Sequence, residues 1–313
     1  MKVGLIGFGS IGKRHYQNLT KHTTDVVVLS KRKDISVSCH AQSWQAFAAH
    51  GPYDAIFIAN ETFKHIPTLK KSLALKPRAI FMEKPLSHNL AGLTQMAREI
   101  KRSRVSLWVG YNFHFFKPFI KIKHIVESNK LGKIYYLRAS IGQDLRTWRK
   151  RDYRQNYSSK RRQGGGVALD LVHDINYPAW LLNDRLVPEV AVVKKLSRLE
   201  TDTEDSVETI LHSERKRILV TVHQDCLRVP RKQSVEIGGD KATLEWDSIS
   251  NAISIQTPTK IFRQTVLSER NEMFVNELKF FMSQVKKKKF FSNIDEAIHD
   301  IKIISFVKKY GKK

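Results

Sequence analysis

The sequence predicts an α/β protein in two parts. The first is a Rossmann fold with a doubly wound parallel sheet, because apolar strands alternate with amphipathic helices from residue 2 to residue 110. The second is an α+β domain with a large, mostly antiparallel, open sheet, because later strands follow one another through short turns. We place the domains at residues 1–118 and 119–313.

Hydrophobic periodicity gives the individual elements. The N-terminal part has predicted strands at Lys2–Ile6, Asp25–Ser30, Ala55–Ala59, Ala79–Glu83 and Val105–Gly110, and helices at Ile11–His22, Lys64–Leu75 and Leu90–Arg102. The C-terminal part has predicted helices at Pro118–Asn129, Asp174–Leu182, Arg270–Val285 and Asp295–Tyr310, and strands at Lys133–Gln143, Glu189–Arg198, Asp205–His212, Arg217–Cys226, Gln233–Gly238, Ala242–Trp246 and Ala252–Gln256.

Composition limits the class of protein. A chain of 313 residues with 41% hydrophobic content can bury a core, and its formal charge of +25 attracts anions of any kind. The sequence has no zinc-finger, helix-turn-helix or RNP pattern and no apolar run long enough to span a bilayer, so we expect neither a nucleic-acid nor a membrane partner. Cys39 and Cys226 have no metal-ligand spacing and no disulfide framework. We therefore expect no metal and a reducing, cytoplasmic location, without secretion.

A glycine-rich turn follows the first predicted strand and opens the first predicted helix. It consists of Gly7, Phe8, Gly9, Ser10, Ile11 and Gly12, the G-x-G-x-x-G pattern in its proper strand-to-helix context. Such a turn lets a pyrophosphate approach the backbone at the helix N-terminus. We predict a dinucleotide site here. The alternative is that the glycine-rich turn binds no ligand.

The end of the second strand predicts which dinucleotide binds. Proteins that bind NAD usually place an acidic residue there for the ribose diol, whereas this chain has Ser30, Lys31 and Arg32. A hydroxyl and cations suit a 2′-phosphate, and the planar guanidinium of Arg32 can bind it along two hydrogen bonds. NADP(H) is therefore the predicted cofactor and NAD(H) is possible; an ordinary charged loop is the alternative.

Further motifs lie at or near the ends of later elements. Glu83-Lys84-Pro85 ends the strand Ala79–Glu83, at the sheet edge where ligands bind in doubly wound folds. A glycine run, Gly164 to Gly166, opens a helical segment that contains Asp170 and His173, and Tyr111-Asn112 follows the last Rossmann strand. With the glycine-rich turn, these motifs resemble the Gfo/Idh/MocA family of oxidoreductases, from Met1 to the C-terminal helices.

The resemblance implies a fold and a set of functional residues. In that family a Rossmann domain precedes an α/β domain whose open sheet often makes oligomer contacts, so a homo-oligomer, a dimer or a tetramer, is expected. Carried over, the catalytic candidates are Lys84, Asp170 and His173. The remaining candidates are Asn60 and Glu83 for the cofactor, together with Lys84, and Tyr111 and Asn112 for the substrate, together with Asp170 and His173.

The chemistry of these side chains agrees with that assignment. Oxidising an alcohol requires removal of its proton as hydride leaves carbon, and His173 suits this acid/base role near neutral pH. Lys84 can stabilise developing charge on the reacting oxygen, and Asp170 can orient the imidazole or bind a neighbouring hydroxyl. The alternatives are that Lys84 only anchors the cofactor ribose, that Asp170 only caps a helix and that His173 is a core histidine.

The motif departs from the commonest family spacing. Asp170 and His173 are three residues apart, which is one fewer than usual, and we expect them to share one helix face. The pattern looks like that of a subgroup with Asp-Leu-Ser-His-Glu-Ile-Asp-Tyr, associated with surface-sugar biosynthesis in bacteria. Asn176 stands in place of the subgroup's second acid, and Val172 in place of its Ser. These two changes put the hydroxyl contacts of the substrate in doubt.

Gln143–Gln163 is the predicted substrate segment. It combines aromatic side chains, which stack on sugar rings or bases, with arginines, which bind carboxylate or phosphate. The substrate candidates in it are Trp148, Arg149, Tyr153, Arg154 and Tyr157. Because the segment resembles the subgroup's substrate loop, the predicted substrate is an anionic sugar, either a nucleotide sugar or a sugar acid. The alternative is an exposed basic loop.

The sequence leaves three functions in competition. The leading one is an NADP(H)-dependent dehydrogenase or reductase of a sugar. The second is a dinucleotide-binding regulator without turnover, which retention of Lys84, Asp170 and His173 disfavours. The third is an enzyme that keeps its nicotinamide bound and recycles it, in elimination, epimerisation or glycoside cleavage.

Overall fold

A computed structural model describes residues 1–23, 25–148 and 152–310. The chain divides into two compact units. The first consists of Met1–Gly110 with Phe274–Ile301, and the second of Tyr111–Met273 with the residues from Lys302 onward.

The first unit contains a six-stranded parallel sheet in the order β3-β2-β1-β4-β5-β6. Its strands are β1 (Val3–Ile6), β2 (Val26–Leu29), β3 (Cys39–Ala41), β4 (Ala55–Ile58), β5 (Ala79–Glu83) and β6 (Ser106–Gly110), and its N-terminal helices are α1 (Ser10–Leu19), α2 (Trp44–Ala49), α3 (His65–Ala74) and α4 (Leu93–Ser103). The strand order reverses between β1 and β4, the place where doubly wound sheets bind ligands. The predicted Rossmann fold is confirmed.

A C-terminal helix completes the core of this unit. Helix α8 (Glu272–Lys286) packs Phe281 edge-on against Phe57 and Phe81, with ring centroids 5.3 and 5.5 Å away. Burial of such an aromatic side chain contributes about 1.5–3 kcal/mol. The boundary predicted at residue 118 places α8 in the second domain, whereas most of α8 belongs to the first unit.

The second unit is built on an eight-stranded sheet in the order β14-β13-β12-β11-β7-β10-β9-β8. Its strands are β7 (Ile134–Gly142), β8 (Leu186–Lys194), β9 (Ser206–Ser213), β10 (Leu219–Asp225), β11 (Lys232–Gly239), β12 (Thr243–Asp247), β13 (Ala252–Gln256) and β14 (Ile261–Thr265), and its helices are α5 (Lys117–Glu127), α6 (Val167–Asp170) and α7 (His173–Leu182). Strands β7 and β10 pair in parallel and the other pairs are antiparallel, which confirms the predicted mostly antiparallel sheet. Helix α9 (Ile294–Tyr310) passes from the first unit to the second after Ile301.

The two faces of this sheet differ. Its inner face packs residues such as Leu137, Val220 and Leu211 in one core with Phe119 of α5 and Leu181 of α7. The opposite face of β8, β9 and β10 exposes apolar side chains in part, at Val190, Val192, Ile210 and Leu219. None of the helices formed by described residues combines the length and the apolar character needed to cross a bilayer.

The structure corrects several predicted elements. Strand β3, helix α2 and strand β14 were not predicted, because the first two span three and six residues and every residue of the third is exposed. Strand β8 ends at Lys194 instead of Arg198. The carboxylate of Asp205 accepts the backbone N–H groups of Leu196 and Ser197 at 2.6 and 2.9 Å, which gives these groups a partner outside the sheet.

Candidate active site

The glycine-rich turn connects β1 to α1 as predicted, and its first and last glycines are required by the fold. Gly7 has a φ of +97°, a conformation that other residues rarely adopt. A Cβ on Gly12 would lie 2.1 Å from the carbonyl oxygen of Gly7, so the turn and the helix pack too closely for a side chain. Between them, Phe8 is buried with its ring centroid 5.6 Å from that of Tyr16. Ile11 packs against the core of the first unit.

Gly9 differs from these two glycines because no atom of the described residues lies within 4 Å of the position its Cβ would take. Gly9 and Ser10 are both exposed at the N-terminus of α1. No side chain among the described residues caps this end, and its first turn has no acidic residue. Such a helix end attracts anions through its backbone N–H groups and dipole. The turn therefore fits the pyrophosphate of a dinucleotide.

The loop that follows β2 carries a carboxylate, Asp34, that was not predicted as part of the site. Arg32 binds Asp34 through Nε and Nη2, at 3.0 and 2.5 Å. This hydrogen-bonded pair lowers the pKa of Asp34. Ser30 is buried and its hydroxyl accepts the N–H of Arg32 at 3.2 Å, whereas Lys31 is exposed. A 2′-phosphate at this strand end would compete with Asp34 for Arg32.

Asn60, Glu83 and Lys84 lie at or just beyond the carboxyl ends of β4 and β5. Asn60 Nδ2 donates to the Thr68 hydroxyl at 2.8 Å. Glu83 is buried and its Oε1 lies 2.6 Å from His15 Nε2. Lys84, the next residue, is half-buried. These residues follow strands on the β4 side of the switch point, where the fold rule places a ligand.

In the second unit, Asp170 and His173 do not lie on one continuous helix, which corrects the prediction. Asp170 is the last residue of α6 and His173 is the first of α7. Leu171, between them, has φ −99° and ψ +30°, outside the helical range. Gln224 Nε2 donates to the Leu171 carbonyl at 2.7 Å and so holds this turn against β10. Gln224 was not predicted, because it is distant in sequence.

His173 lies in an aromatic environment with little access to water. Its side chain is buried, with the ring of Phe113 at a centroid distance of 4.7 Å and that of Tyr111 at 6.2 Å. Tyr111 and Asn112 are both buried. Two of the predicted substrate residues thus lie next to or near the predicted acid/base, and Phe113 is an additional neighbour that the sequence interpretation missed.

Asp170 is buried close to two charged residues that were also missed. Burial lowers the pKa of Lys308, an effect opposed by the charges of Glu204 and Asp170. Burial raises the pKa of Glu204. Glu204 accepts the N–H of Ala168 at 3.4 Å, and its carboxylate oxygen lies 2.2 Å from where a Cβ on Gly166 would be. The glycine run therefore leaves room for the half-buried carboxylate of Glu204 beside the helix that ends at Asp170.

A contact of Asn176 explains why an amide can stand where the subgroup has its second acidic residue. Its Oδ1 lies 2.7 Å from Nε2 of His114, whose ring stacks on Trp180 at 4.7 Å. Burial lowers the pKa of His114 to about 4, so the imidazole is neutral at pH 7 and donates from Nε2. A neutral amide acceptor suits a neutral donor here.

The predicted substrate segment forms short 3₁₀ turns in its described part. Trp148 Nε1 donates to the Gln143 carbonyl at 2.8 Å, and the Tyr153 hydroxyl accepts the N–H of Glu200 at 3.2 Å. Arg154 forms ion pairs with Asp152 and Glu200, at 2.7 and 3.2 Å. The predicted Arg149 lies outside the described residues.

The glycine run joins this segment to the turn that carries Asp170 and His173. Gly166 donates its N–H to the Ser158 carbonyl at 3.1 Å. A Cβ on Gly165 would lie 2.4 Å from the carbonyl oxygens of Tyr157 and Ser158. Tyr157 itself is half-buried. The segment and the candidate acid/base are thus parts of one packed structure within the second unit.

The described residues contain no group of three or more His, Cys, Asp or Glu side chains placed to hold a metal ion. Cys39 and Cys226 are free thiols. Burial, with a smaller effect from the charges of Asp205 and Asp225, raises the pKa of Cys226 to about 12. Its thiol is therefore protonated at neutral pH.

Comparison with known proteins identifies the family. A model of an oxidoreductase family with an NAD-binding Rossmann fold matches residues 1–111, and a model of the GFO/IDH/MocA C-terminal domain matches residues 119–245. The chain belongs to the Gfo/Idh/MocA family of oxidoreductases. The predicted family is confirmed, and so is the predicted class of enzyme, an NAD(P)-dependent oxidoreductase acting on CH–OH groups.

Relatives of this Gfo/Idh/MocA protein include a myo-inositol 2-dehydrogenase of Thermotoga maritima, 25% identical over 307 residues that cover 91% of this chain and 88% of the relative. The fold matches that of GenD2 from gentamicin A biosynthesis, solved in complex with NAD, with a TM-score of 0.84 at 17% identity, over 100% of this chain and 94% of that one. The fold also matches that of a super-repressor mutant of Gal80p from Saccharomyces cerevisiae, with a TM-score of 0.83 at 14% identity. This match covers 100% of this chain and 96% of that one. Because one fold can carry unrelated functions, these structural matches show the fold of this chain and not its function.

Proposed function

We propose that this Gfo/Idh/MocA protein is an NADP(H)-dependent oxidoreductase that transfers a hydride to or from a hydroxyl or keto carbon of a sugar or nucleotide sugar. Its product would be a precursor of a polysaccharide or glycan. The observation that carries the proposal is the buried Asp170 and His173 beside the glycine run, since a protein that only binds a dinucleotide needs no acid/base. The Thermotoga relative, named for a dehydrogenation of myo-inositol, supports a polyol or sugar substrate.

The catalytic residues are Lys84, Asp170 and His173. When bound, the nicotinamide accepts or supplies the hydride. In the oxidation direction His173 takes the hydroxyl proton, and in reduction it returns it. Lys84 donates a hydrogen bond to the reacting oxygen and stabilises negative charge that develops there. Asp170 orients the imidazole or binds a neighbouring substrate hydroxyl, with its own position set by its buried surroundings.

Gly7, Gly9, Gly12 and their neighbours in the turn hold the pyrophosphate, and the end of β2 selects the 2′-substituent. Lys31 and Arg32 are exposed beside the buried Ser30, which favours a 2′-phosphate. Asp34 opposes that preference, because it already occupies two donors of Arg32. NADP(H) is the preferred cofactor, and displacement of Asp34 accompanies its binding. Asn60 and Glu83 complete the proposed cofactor site with Lys84.

The charge of the segment Gln143–Gln163 supports an anionic substrate. The segment has eight Lys or Arg residues against two Asp. Its residues Tyr157, Ser158 and Lys160 pack against the glycine run that leads to Asp170 and His173. Tyr111, Asn112, Trp148, Arg149, Tyr153, Arg154 and Tyr157 are the proposed substrate residues, together with Asp170 and His173. Because Arg154 is paired with Asp152 and Glu200, it binds an anion only by sharing or exchanging these partners.

The protein also acts as a homo-oligomer, a dimer or tetramer, in the cytoplasm. The support for assembly is the outward face of β8, β9 and β10, where Val190, Val192, Ile210 and Leu219 are each between 37% and 49% exposed. Partly exposed apolar side chains that share one sheet face favour an interface. The two free thiols fit a reducing compartment.

The cofactor proposal is tested by titrating the purified protein with NADPH and with NADH while following nicotinamide fluorescence. We expect tighter binding of NADPH. Arg32→Ala should weaken NADPH binding by roughly 10- to 100-fold and leave NADH binding unchanged. This loss corresponds to a charge-assisted hydrogen bond, which contributes about 1.5–3 kcal/mol. Asp34→Asn is the matched variant, and it should tighten NADPH binding because it releases Arg32.

Tighter binding of NADH than NADPH by the unmodified protein would contradict the cofactor proposal. If neither dinucleotide binds, the protein is denatured and the supernatant is analysed for released nicotinamide. Released cofactor would replace the proposal by the retained-cofactor enzyme. Turnover is then measured with myo-inositol, with free sugar acids and with UDP-linked sugars as probes. Faster turnover of the anionic probes is the expected result, and faster turnover of myo-inositol would contradict an anionic substrate.

A further inference from the structure

Two buried histidines contact the residues on either side of Lys84. His15, on α1, is 2% exposed and its Nε2 lies 2.6 Å from Oε1 of Glu83. His65, the first residue of α3, is 1% exposed and its Nδ1 lies 2.7 Å from the carbonyl oxygen of Pro85. Both histidines come from helices of the first unit that neither contain nor adjoin Lys84 in the sequence.

His65 also contacts the end of β4. Its Nε2 lies 3.1 Å from the carbonyl oxygen of Asn60, so both ring nitrogens face acceptors. Burial lowers the pKa of His65, although the two carbonyls and the charges of Glu83 and Glu61 oppose the shift. A neutral imidazole has one N–H, and the shorter distance assigns it to Nδ1. The hydrogen bond of His65 is therefore made to Pro85.

His15 is fixed in place by the core. Its ring lies 5.6 Å from that of Phe57 and 5.1 Å from that of Phe81, measured between centroids. Glu83 is buried, so loss of its contact with His15 would leave a carboxylate without one of its hydrogen-bond donors in a dry environment. His15 thus joins α1, which begins at the glycine-rich turn, to the residue before Lys84.

We propose that His15 and His65 are positioning residues, which hold the turn Glu83–Pro85 from its two sides and so fix the backbone from which Lys84 extends. The inference rests on the proposed role of Lys84. A lysine side chain is long and flexible, so where its amine lies depends on how firmly its Cα is held. A displacement of about 1 Å at a catalytic group can lower the rate by about 100-fold.

The test uses a pair of variants that remove one ring nitrogen at a time. Asparagine places its amide nitrogen near the position of Nδ1 and glutamine near that of Nε2. His65→Asn therefore keeps the donor to Pro85, and His65→Gln loses it. For His15 the order is reversed, because the contact to Glu83 is made by Nε2: His15→Gln keeps it and His15→Asn loses it.

Two measurements are made on each variant. The first is kcat and KM with NADP⁺ and the anionic sugar probe that turns over. The second, which needs no substrate, is the ¹³C signal of Lys84 in the reductively methylated protein, assigned by its loss in Lys84→Arg. We expect His65→Gln and His15→Asn to lower kcat by up to about 100-fold and to shift the Lys84 signal. His65→Asn and His15→Gln should stay within about twofold of the unmodified protein in kcat.

Unchanged kcat and an unchanged Lys84 signal in His65→Gln and His15→Asn would overturn the inference. Equal losses in both members of a pair would also overturn it, because they would show that the histidines serve packing alone. If Lys84→Met itself keeps full kcat, the proposed role of Lys84 fails. The Lys84 signal still decides, in that case, whether the two histidines hold the turn.

Discussion

At the scale of single residues, the two proposed catalytic groups of the second unit are polar side chains removed from water. His173 and Asp170 are each 9% exposed, and Lys308 and Glu204, both half-buried, lie near Asp170 in the second unit. Low dielectric strengthens the effect of each charge on its neighbours. A catalytic group in such a place is effective because its surroundings are fixed before the substrate binds.

Replacement of His173 is therefore expected to remove most of the turnover. His173→Asn should lower kcat by about 100- to 10,000-fold, the usual contribution of a positioned acid/base. Binding of NADPH, measured by fluorescence, should be unchanged. The control is His124→Asn, at a side chain that is 75% exposed on α5. Full turnover by His173→Asn with the best sugar probe would show that another residue transfers the proton.

How far such residues can be read from the sequence depends on where their partners lie. Lys84, Asp170 and His173 stand in local motifs, and they could be proposed without a structure. Glu204 and Lys308 could not, because they approach Asp170 from segments distant along the chain. The contact of Asp34 with Arg32 was missed for another reason, because Asp34 lies in the loop beyond the end of β2.

At the scale of elements, the sequence predicted the bounds of some strands correctly. Strands Ala79–Glu83 and Ala252–Gln256 have the predicted bounds. The break between α6 and α7 was missed, because the run of apolar residues there is compatible with one helix. The donor that holds the break, Gln224, belongs to β10. Helical periodicity alone cannot show a side chain that arrives from another element.

The turn between β1 and α1 allows two glycines to be separated by experiment. Gly12→Ala should destabilise the fold, because its Cβ would be 2.1 Å from the Gly7 carbonyl oxygen. Gly9→Ala should leave the melting temperature unchanged, since no described atom lies within 4 Å of its Cβ. It should nevertheless weaken NADPH binding by at least about tenfold, because the methyl group occupies space that the pyrophosphate needs.

Thermal unfolding and NADPH titration of the two variants check this contrast. Normal NADPH binding by Gly9→Ala would show that the phosphates do not approach the turn. Normal stability of Gly12→Ala would show that helix α1 can move away from β1. Either result would contradict the role that we assign to the corresponding glycine.

At the scale of the whole chain, the order of strands and helices predicted both sheets. It did not predict which residues belong to which of the two units. Residues Phe274–Ile301 return to the first unit, where Phe281 meets Phe57 and Phe81. The apolar face of α8 is evident in the sequence, but the sequence does not show which of the two cores this helix packs against. Such a choice depends on contacts between residues far apart in the chain.

The formal charge of +25 also acts at this scale, because like charges on two copies of the chain repel each other. Assembly then requires an apolar surface that outweighs the repulsion. In the proposed oligomer this surface is the outward face of β8, β9 and β10, where Val190 and Ile210 are cross-strand partners and both are exposed. Stable interfaces bury about 1,200–2,000 Å² in total, so substitutions at the centre of this face should have large effects.

Ile210→Lys is expected to convert the oligomer to a monomer, because it would place an unpaired charge in a buried interface. Sedimentation velocity at micromolar concentrations measures the change. Leu196→Lys is the control: it adds the same charge at a side chain that is 66% exposed and lies beyond the end of β8. A monomeric unmodified protein, or an Ile210→Lys variant that sediments as the unmodified protein does, would exclude this face as the interface. Loss of assembly in both variants would attribute it to net charge rather than to the apolar face.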